Sequence, residues 1–539
     1  TGSEHTTFRA TAPCVAYGNR ALGGHGGMLY LNMKATVQLY ATSGSPMDIH
    51  ANQASGNGGA LYADNEGYFD VYGQVALEDN RASNGGAIYL SNGSRVWLDD
   101  YVNILPQVCG NVAETGSGGG IYADNSPSVR LTVPAMGREG TGNYAAVRGG
   151  AMAVFSSTVR VERATAFVDN SAGTGGALAS SNSVITLEAG QQKAPLFIRN
   201  TSFGAAANDG GGAIYAEHGT RLVYPNALFA DNTSSNNGGA LWLRNATAEL
   251  AGNFAEWPGG ATPPTFFSNN VAVAGSGGAV YLSAGSSAAL ADALIVGNQA
   301  SLGGGIRIST STADLVNVVL YRNSAGVRIA SGRVRARHCT VVSNTNDGIT
   351  GGGAISVSNC IVRGHTVNIA DGKDAQYSNI EGGYATGTGN IDAEPLFVDV
   401  AAYNLALRHN SPCVDAGVNA GITWDCIGAP RPMKAGFDMG AYEMNPAPVE
   451  VIVPTLLDFG DVAVGDSASL TIHVQNKGNS AVTGAVAFVP APIFTILPNS
   501  YVVPPLDVMD LTATFAPPLE FVWTSTVIFT SNAGTQDVV

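Results

Sequence analysis

Cleaving a glycosidic bond takes two carboxylates flanking it, or calcium-binding acids beside a Lys or Arg base, so acidic pairs and cations are where chemistry would first be visible. Glu78-Asp79 and Asp99-Asp100 are the adjacent acidic pairs; both read as solvated turns, and only five lysines occur in 539 residues. The eight histidines, His5, His25, His50, His218, His338, His365, His409 and His473, form no HExxH or other metal spacing, and His25 sits in a Gly24-His25-Gly26 turn. Neither a GxSxG nucleophile elbow nor a phosphate-cradling loop is present. These spacings lead us to expect no catalytic residue, no metal and no cofactor.

The six cysteines contain no CxxC pair, which argues against a zinc or thioredoxin-like site. Cys339 and Cys360 lie in similar local text 21 residues apart. If that is one coil of a repeat they stack at about 4.8 Å, within the Cα window that a disulfide tolerates. Cys413 and Cys426 flank a short loop and form a second candidate bridge, whereas Cys14 and Cys109 have no evident partner. Such bridges imply an oxidising, extracytoplasmic compartment.

Charged residues make up 12% of the chain and Gly contributes 69 positions, while the apolar fraction is 45%, so the chain is not of disordered composition. The formal charge of −15 opposes phosphate backbones, which removes nucleic acid as an expected partner. No apolar run reaches the roughly 18 residues of a membrane span. The opening Thr1-Gly2-Ser3, with neither Met nor a signal-peptide core, reads as a processed product.

One phrase recurs: Asn, a small-residue stretch, Gly-Gly, a small residue, an aliphatic, then often an aromatic. It appears at Asn52, Asn80, Asn111, Asn170, Asn232 and Asn270, with weaker copies at Asn19, Asn143, Asn200 and Asn298, spaced 27 to 38 residues apart. That is a solenoid signature. Between the Gly-Gly pairs, segments such as Ser183-Val184-Ile185-Thr186-Leu187 are short and β-branched, and no amphipathic helix spacing persists. The chain is therefore expected to be all-β, with coils of a parallel β-helix over 1–354. The aliphatic should point into the coil and its successor outward. The successors Tyr30, Tyr62, Tyr89, Tyr122, Tyr215, Trp242 and Tyr281 would then line one outer face, as a stiffening ladder or as a platform for sugars or a protein partner. The Asn is expected to supply left-handed turns and to hydrogen-bond from coil to coil.

The Gly-Gly-Ala-Ile phrase, preceded by phrases such as Phe167-Val168-Asp169-Asn170, Phe197-Ile198-Arg199-Asn200 and Phe229-Ala230-Asp231-Asn232, resembles the repeat of chlamydial polymorphic outer-membrane adhesins and related bacterial right-handed β-helix proteins. The resemblance covers roughly 14–360 and implies the fold rather than an activity. Residues 355–445 read differently and resemble the closing module of secreted bacterial β-helix proteins termed choice-of-anchor domains. There Asp415, Arg431, Asp438 and Glu443 could pass for a catalytic cluster; an ionic cap over the coil end is the preferred reading, because open strand edges must be covered.

Beyond a linker at Asn445-Pro446-Ala447-Pro448, residues 449–539 alternate with period two between turns such as Asn476-Lys477-Gly478-Asn479 and fit an immunoglobulin-like sandwich. Phe459-Gly460, Val464-Gly465 and Asn476-Lys477-Gly478 resemble ASH/Hydin-type members of that class. Its last strand could leave an edge open to a strand from another copy, for instance Thr6-Thr7-Phe8-Arg9. The expected function is a non-enzymatic, secreted or cell-surface structural or adhesive protein that spans no membrane. Its expected partners are copies of itself joined end to end through strand edges, a glycan, or a host or cell-surface protein. The alternative is a polysaccharide-binding or polysaccharide-cleaving enzyme, whose site would assemble across coils.

Overall fold

A computed structural model describes residues 7–10, 14–41, 47–99, 107–125, 128–132, 135–162, 165–187, 194–224, 226–251, 265–370, 372–489 and 493–538. His5, Thr6, Asp100 and the side chain of Cys14 lie outside the described residues. The chain divides into two compact units: Thr1–Ala393 with Gly417–Gly428 and Met439–Tyr442, and Glu394–Ala416 with Ala429–Asp438 and Glu443–Val539.

The first unit is a parallel β-helix. Among the described residues its strands stack into sheets of 14, 14, 10 and 13 members, each strand pairing with its counterpart one coil away. One coil shows how the repeat makes this shape. After Asn80 come strands Arg81–Ala82, Ile88–Ser91, Arg95–Asp99 and Gln107–Cys109, before Asn111 starts the next coil. Ile88, Leu90, Val96, Leu98 and Val108 are fully buried, so the period-two alternation sends them inward. The Gly85-Gly86 pair makes the corner. Gly85 has φ of +60°, and a Cβ on Gly86 would lie 2.2 Å from the carbonyl oxygen of Gly119 in the next coil.

Two ladders run inside the coils. From Asn52 to Asn344 each asparagine in the series receives, on its Oδ1, the backbone N–H and the Nδ2–H of the asparagine one coil before, at 2.7–3.1 Å. Its other Nδ2 hydrogen goes to a backbone carbonyl, as Asn170 does to Met136. The ladder ends on His365: Asn344 Nδ2 donates to Nε2 at 3.0 Å, which leaves Nδ1–H to donate to Asn368 Oδ1 at 2.9 Å. The expectation for these asparagines needs one correction. The left-handed residue is the one before the asparagine, as at Ala51, Asp79, Asp169, Arg199 and Asp231, because the amide is needed inside the coil. The second ladder is Phe167-Phe197-Phe229-Phe267, buried and stacked at 4.6–4.9 Å.

The third sheet ends at Gln299–Leu302, and the asparagine spacing falls to 25 and then 21 residues as that side of the coil is dropped. Cys339 and Cys360 stack one coil apart as expected, but as buried thiols; the Cys339 N–H donates to Cys360 Sγ at 3.3 Å. Each thiol also donates to a backbone carbonyl, Cys339 Sγ to Arg337 at 3.4 Å and Cys360 Sγ to Ser358 at 3.2 Å. Cys413 and Cys426 are likewise buried thiols rather than a bridge. Inside this unit the last rungs are covered by 377–393, where Ile391 bridges Asn379 and the Tyr384 hydroxyl donates to the Ala370 carbonyl at 2.9 Å.

The second unit contains a sandwich of two four-stranded antiparallel sheets. Their orders are Glu450–Val453, Ala468–Asn476, Val508–Phe515, Phe494–Leu497, and Ser500–Val503, Val482–Val489, Thr526–Ser531, Gly534–Val538. Ile472, Val474, Leu511 and Phe529 fill the core. Gly534–Val538 pairs along Thr526–Ser531 as an edge strand. The strand offered as a donor, Thr7–Ala10, pairs in parallel with Thr36–Leu39 of the next coil and is the outermost strand of its sheet.

Candidate functional site

The outward aromatic column is the face on which sequence reasoning placed a binding role, and the structure divides it. Tyr30, Tyr62, Tyr89 and Tyr122 form one stack with centroids 4.8–5.1 Å apart and planes within 16°. Phe155 extends it at 5.4 Å, folding over the small Ala153. Inside such a stack ring faces are covered by their neighbours, so edges and hydroxyls face solvent; that arrangement stiffens the sheet and withholds the flat faces that sugars use, except at Tyr30, which ends the stack and is 51% exposed. Burial, then the neighbouring Tyr62 and Asp124, push the Tyr89 phenol up to about 12.

Tyr215 and Trp242 depart from the expected exposed ladder: they are 1% and 3% exposed. The position before the glycine pair is Gly210 in this coil, where Asn57, Asn84 and Asn237 stand in others. A Cβ on Gly210 would sit 2.5 Å from the Trp242 ring, so loop backbone lies directly on the indole. Trp242 meets Tyr215 edge-on at 5.2 Å and tilts against Tyr281 at 5.4 Å, and its indole N–H donates to Ser283 Oγ at 2.8 Å.

Beside them is a network that sequence reasoning missed. Glu217, 4% exposed at its side chain, receives Arg148 at 2.5 Å, Arg244 at 3.3 Å and the Tyr215 hydroxyl at 2.8 Å. Burial raises the Glu217 carboxyl, but the Tyr215 hydrogen bond and the Arg148 charge outweigh it and hold the group below its usual range. Arg148 reaches Glu217 across two coils, 69 residues away in sequence. Glu217→Ala would strand two guanidiniums that are only one-third exposed, and is expected to cost about 2 kcal/mol. Removing Glu249, whose pairing with Arg221 is half exposed, should cost about 0.5 kcal/mol or less. Urea midpoints of the two variants, with unchanged slopes, check the difference.

Asp415, Arg431, Asp438 and Glu443 come together in the second unit. Arg431 Nη1 lies 2.6 Å from Glu443 Oε2; Asp438 accepts the Asp415 and Met444 N–H groups at 2.8 and 2.6 Å; Asp415 Oδ1 accepts Gly436 N–H at 2.7 Å. Backbone donors therefore take up most of these carboxylates, which is the signature of a loop clamp.

Burial, and then the charge of Glu443, push the Asp438 carboxyl up to about 7. A group whose folded value is raised binds its proton more readily in the folded state. Its stabilisation is full below the unfolded carboxylate range, near pH 4, and is lost as pH rises through about 7. Unfolding should thus be easier at about pH 8 than at about pH 5 by on the order of 2 kcal/mol, and Asp438→Asn should flatten that difference. Thermal melts of both proteins across this range check it.

The acids and histidine singled out as candidates are occupied elsewhere. Glu78 pairs with Arg138 at 3.2 Å, Asp99 accepts from Thr132 Oγ1 at 2.7 Å, and His25 Nδ1 accepts the Asn57 N–H at 2.9 Å while its ring stacks on Tyr62. Among the described residues no three His, Cys, Asp or Glu side chains are grouped to hold a metal ion, and no helix is long and apolar enough to cross a membrane.

Stacked coils, an asparagine ladder and a separate antiparallel sandwich define a β-solenoid protein with an immunoglobulin-like module. Two family models match: the right-handed β-helix region over residues 183–362, and ASH, the abnormal spindle-like microcephaly-associated, ASPM-SPD-2-Hydin domain, over residues 449–539. The fold is thus a right-handed parallel β-helix with a C-terminal ASH domain. No curated protein matches the chain.

Proposed function

We propose that this is a non-enzymatic, secreted or cell-surface protein with a structural or adhesive role, in which the β-helix is a stiff element and the ASH domain a binding module. What supports this reading above all is how the coils use their side chains: aromatic faces are stacked on one another, and buried polar groups such as Glu217 and the asparagines are saturated by neighbouring coils. A cleaving enzyme needs unspent carboxylates opposite a bound sugar. The partners we propose are a glycan or a cell-surface protein, and copies of the chain joined end to end through strand edges, which would make it a filament subunit. An incubation with a panel of plant, bacterial and host polysaccharides, read by released reducing ends and by retention on immobilised sugars, tests the role. Retention without cleavage supports adhesion, and cleavage overturns the reading. Electron micrographs of the purified protein test the filament version, which dispersed single particles would sink.

A further inference from the structure

The ASH domain contains a cleft of about 930 Å³, a size typical of ligand sites. Its floor is Phe494, Ala513, Phe515 and Val527, and Phe459 closes it, packing 5.9 and 5.7 Å from Phe494 and Phe515. The walls are residues 456–464 and 519–525, and among the described residues neither wall belongs to a sheet. Large apolar side chains stand open on both: Leu456 is 64% exposed, Phe521 69% and Val522 84%. An apolar patch of this kind on a folded domain marks an interaction site. Ser525 Oγ, in the lining, is buried with no hydrogen-bond partner. The charged residues of the lining are Asp458, Asp461 and Glu520, with no Lys or Arg among them.

We infer that this cleft docks an extended polypeptide segment of another protein, with large apolar side chains on the phenylalanine floor and Lys or Arg at the acidic rim. Two observations select that occupant. Walls that run outside any sheet offer backbone N–H and C=O groups that an extended peptide can pair with. The three carboxylates favour a cationic partner and oppose the same cleft on a second copy, which would bring acids against acids. A sugar is disfavoured because the phenylalanine faces pack on one another.

The inference rests on the reading of the chain as a binding, non-catalytic protein, and the experiment separates the two. The full chain is panned against a phage-displayed library of linear peptides, with the full-chain Phe521→Asp variant as counter-selection. Val522→Asp serves as a second variant, because a side chain so exposed can be changed without disturbing the core. Expected are peptides that combine large apolar residues with Lys or Arg. A synthetic copy should lose about tenfold or more in affinity, by fluorescence anisotropy, against either variant and against Asp458→Lys/Glu520→Lys, and should weaken in about 0.5 M salt. No enrichment, enrichment of acidic or uncharged peptides, or binding that survives all these changes overturns the inference and leaves the non-enzymatic reading standing. Self-association abolished by Phe521→Asp would name a second copy as the occupant and also overturn it. Cleavage of the bound peptide, followed by mass spectrometry, would overturn the non-catalytic reading while leaving the docking intact.

Discussion

Gly86→Ala is expected to abolish folding of the β-helix or to cost more than about 3 kcal/mol, a large effect for a single methyl group. The new Cβ would stand 2.2 Å from the carbonyl oxygen of Gly119, 2.5 Å from the Val112 nitrogen and 2.7 Å from the Val112 carbonyl carbon. All three are backbone atoms of the next coil, so no side-chain rotation relieves the clash. Separating the coils there would break the Gly86 N–H bond to Gly118, now 3.0 Å, and loosen the rungs on either side. The comparison is Gly285→Ala, where φ is +84° and no atom lies within 4 Å of the new Cβ. That change meets only the backbone preference and should cost about 1 kcal/mol. Far-UV circular dichroism with urea titration of both variants measures the contrast; equal losses would mean that crowding between coils is not what the second glycine of the pair answers to.

The same pair explains why so much of the fold is legible in the sequence. A requirement set by contact with an identical neighbour recurs in every coil, so the glycine, the inward aliphatic and the asparagine recur as letters. Requirements that a variety of residues can meet leave no such trace. The left-handed position before the asparagine is filled by Ala51, Asp79, Gly110, Asp169 and Arg199, and no pattern marks it. Departures from the repeat are also silent. The indole of Trp242 lies on Gly210, where other coils carry asparagine, and Arg148 finds Glu217 from 69 residues away because two turns of the solenoid bring them together. In the sandwich, the alternating strands announce themselves, whereas the walls of the apolar cleft read only as connecting segments.

Asn170→Ala should be the next most damaging change, at on the order of 3 kcal/mol or more. The side chain makes two kinds of contact that alanine cannot replace. Its Oδ1 accepts both the backbone N–H and the Nδ2–H of Asn143, at 3.0 and 2.9 Å, and its Nδ2 donates to Met136 O and to Asn200 Oδ1, at 2.7 and 2.9 Å. Alanine leaves the Asn143 donors without their shared acceptor where no solvent reaches and takes one donor from the Met136 carbonyl, and each unpaired group costs about 1–3 kcal/mol. Leucine would fill the volume and leave the same groups stranded, so it should rescue little; that distinguishes a polar ladder from a packing role. Asn19, exposed at the first rung and with its amide on Asn52 Oδ1, gives the control, with an expected loss of about 1 kcal/mol or less. Because backbone pairing and the asparagine ladder join each coil only to the next, the damage should be local, with amide exchange quickening in the coils around Asn143, Asn170 and Asn200 before the distant ones. Exchange that rises evenly along the solenoid would instead mean that the ladder is one cooperative element, in which no rung can open alone.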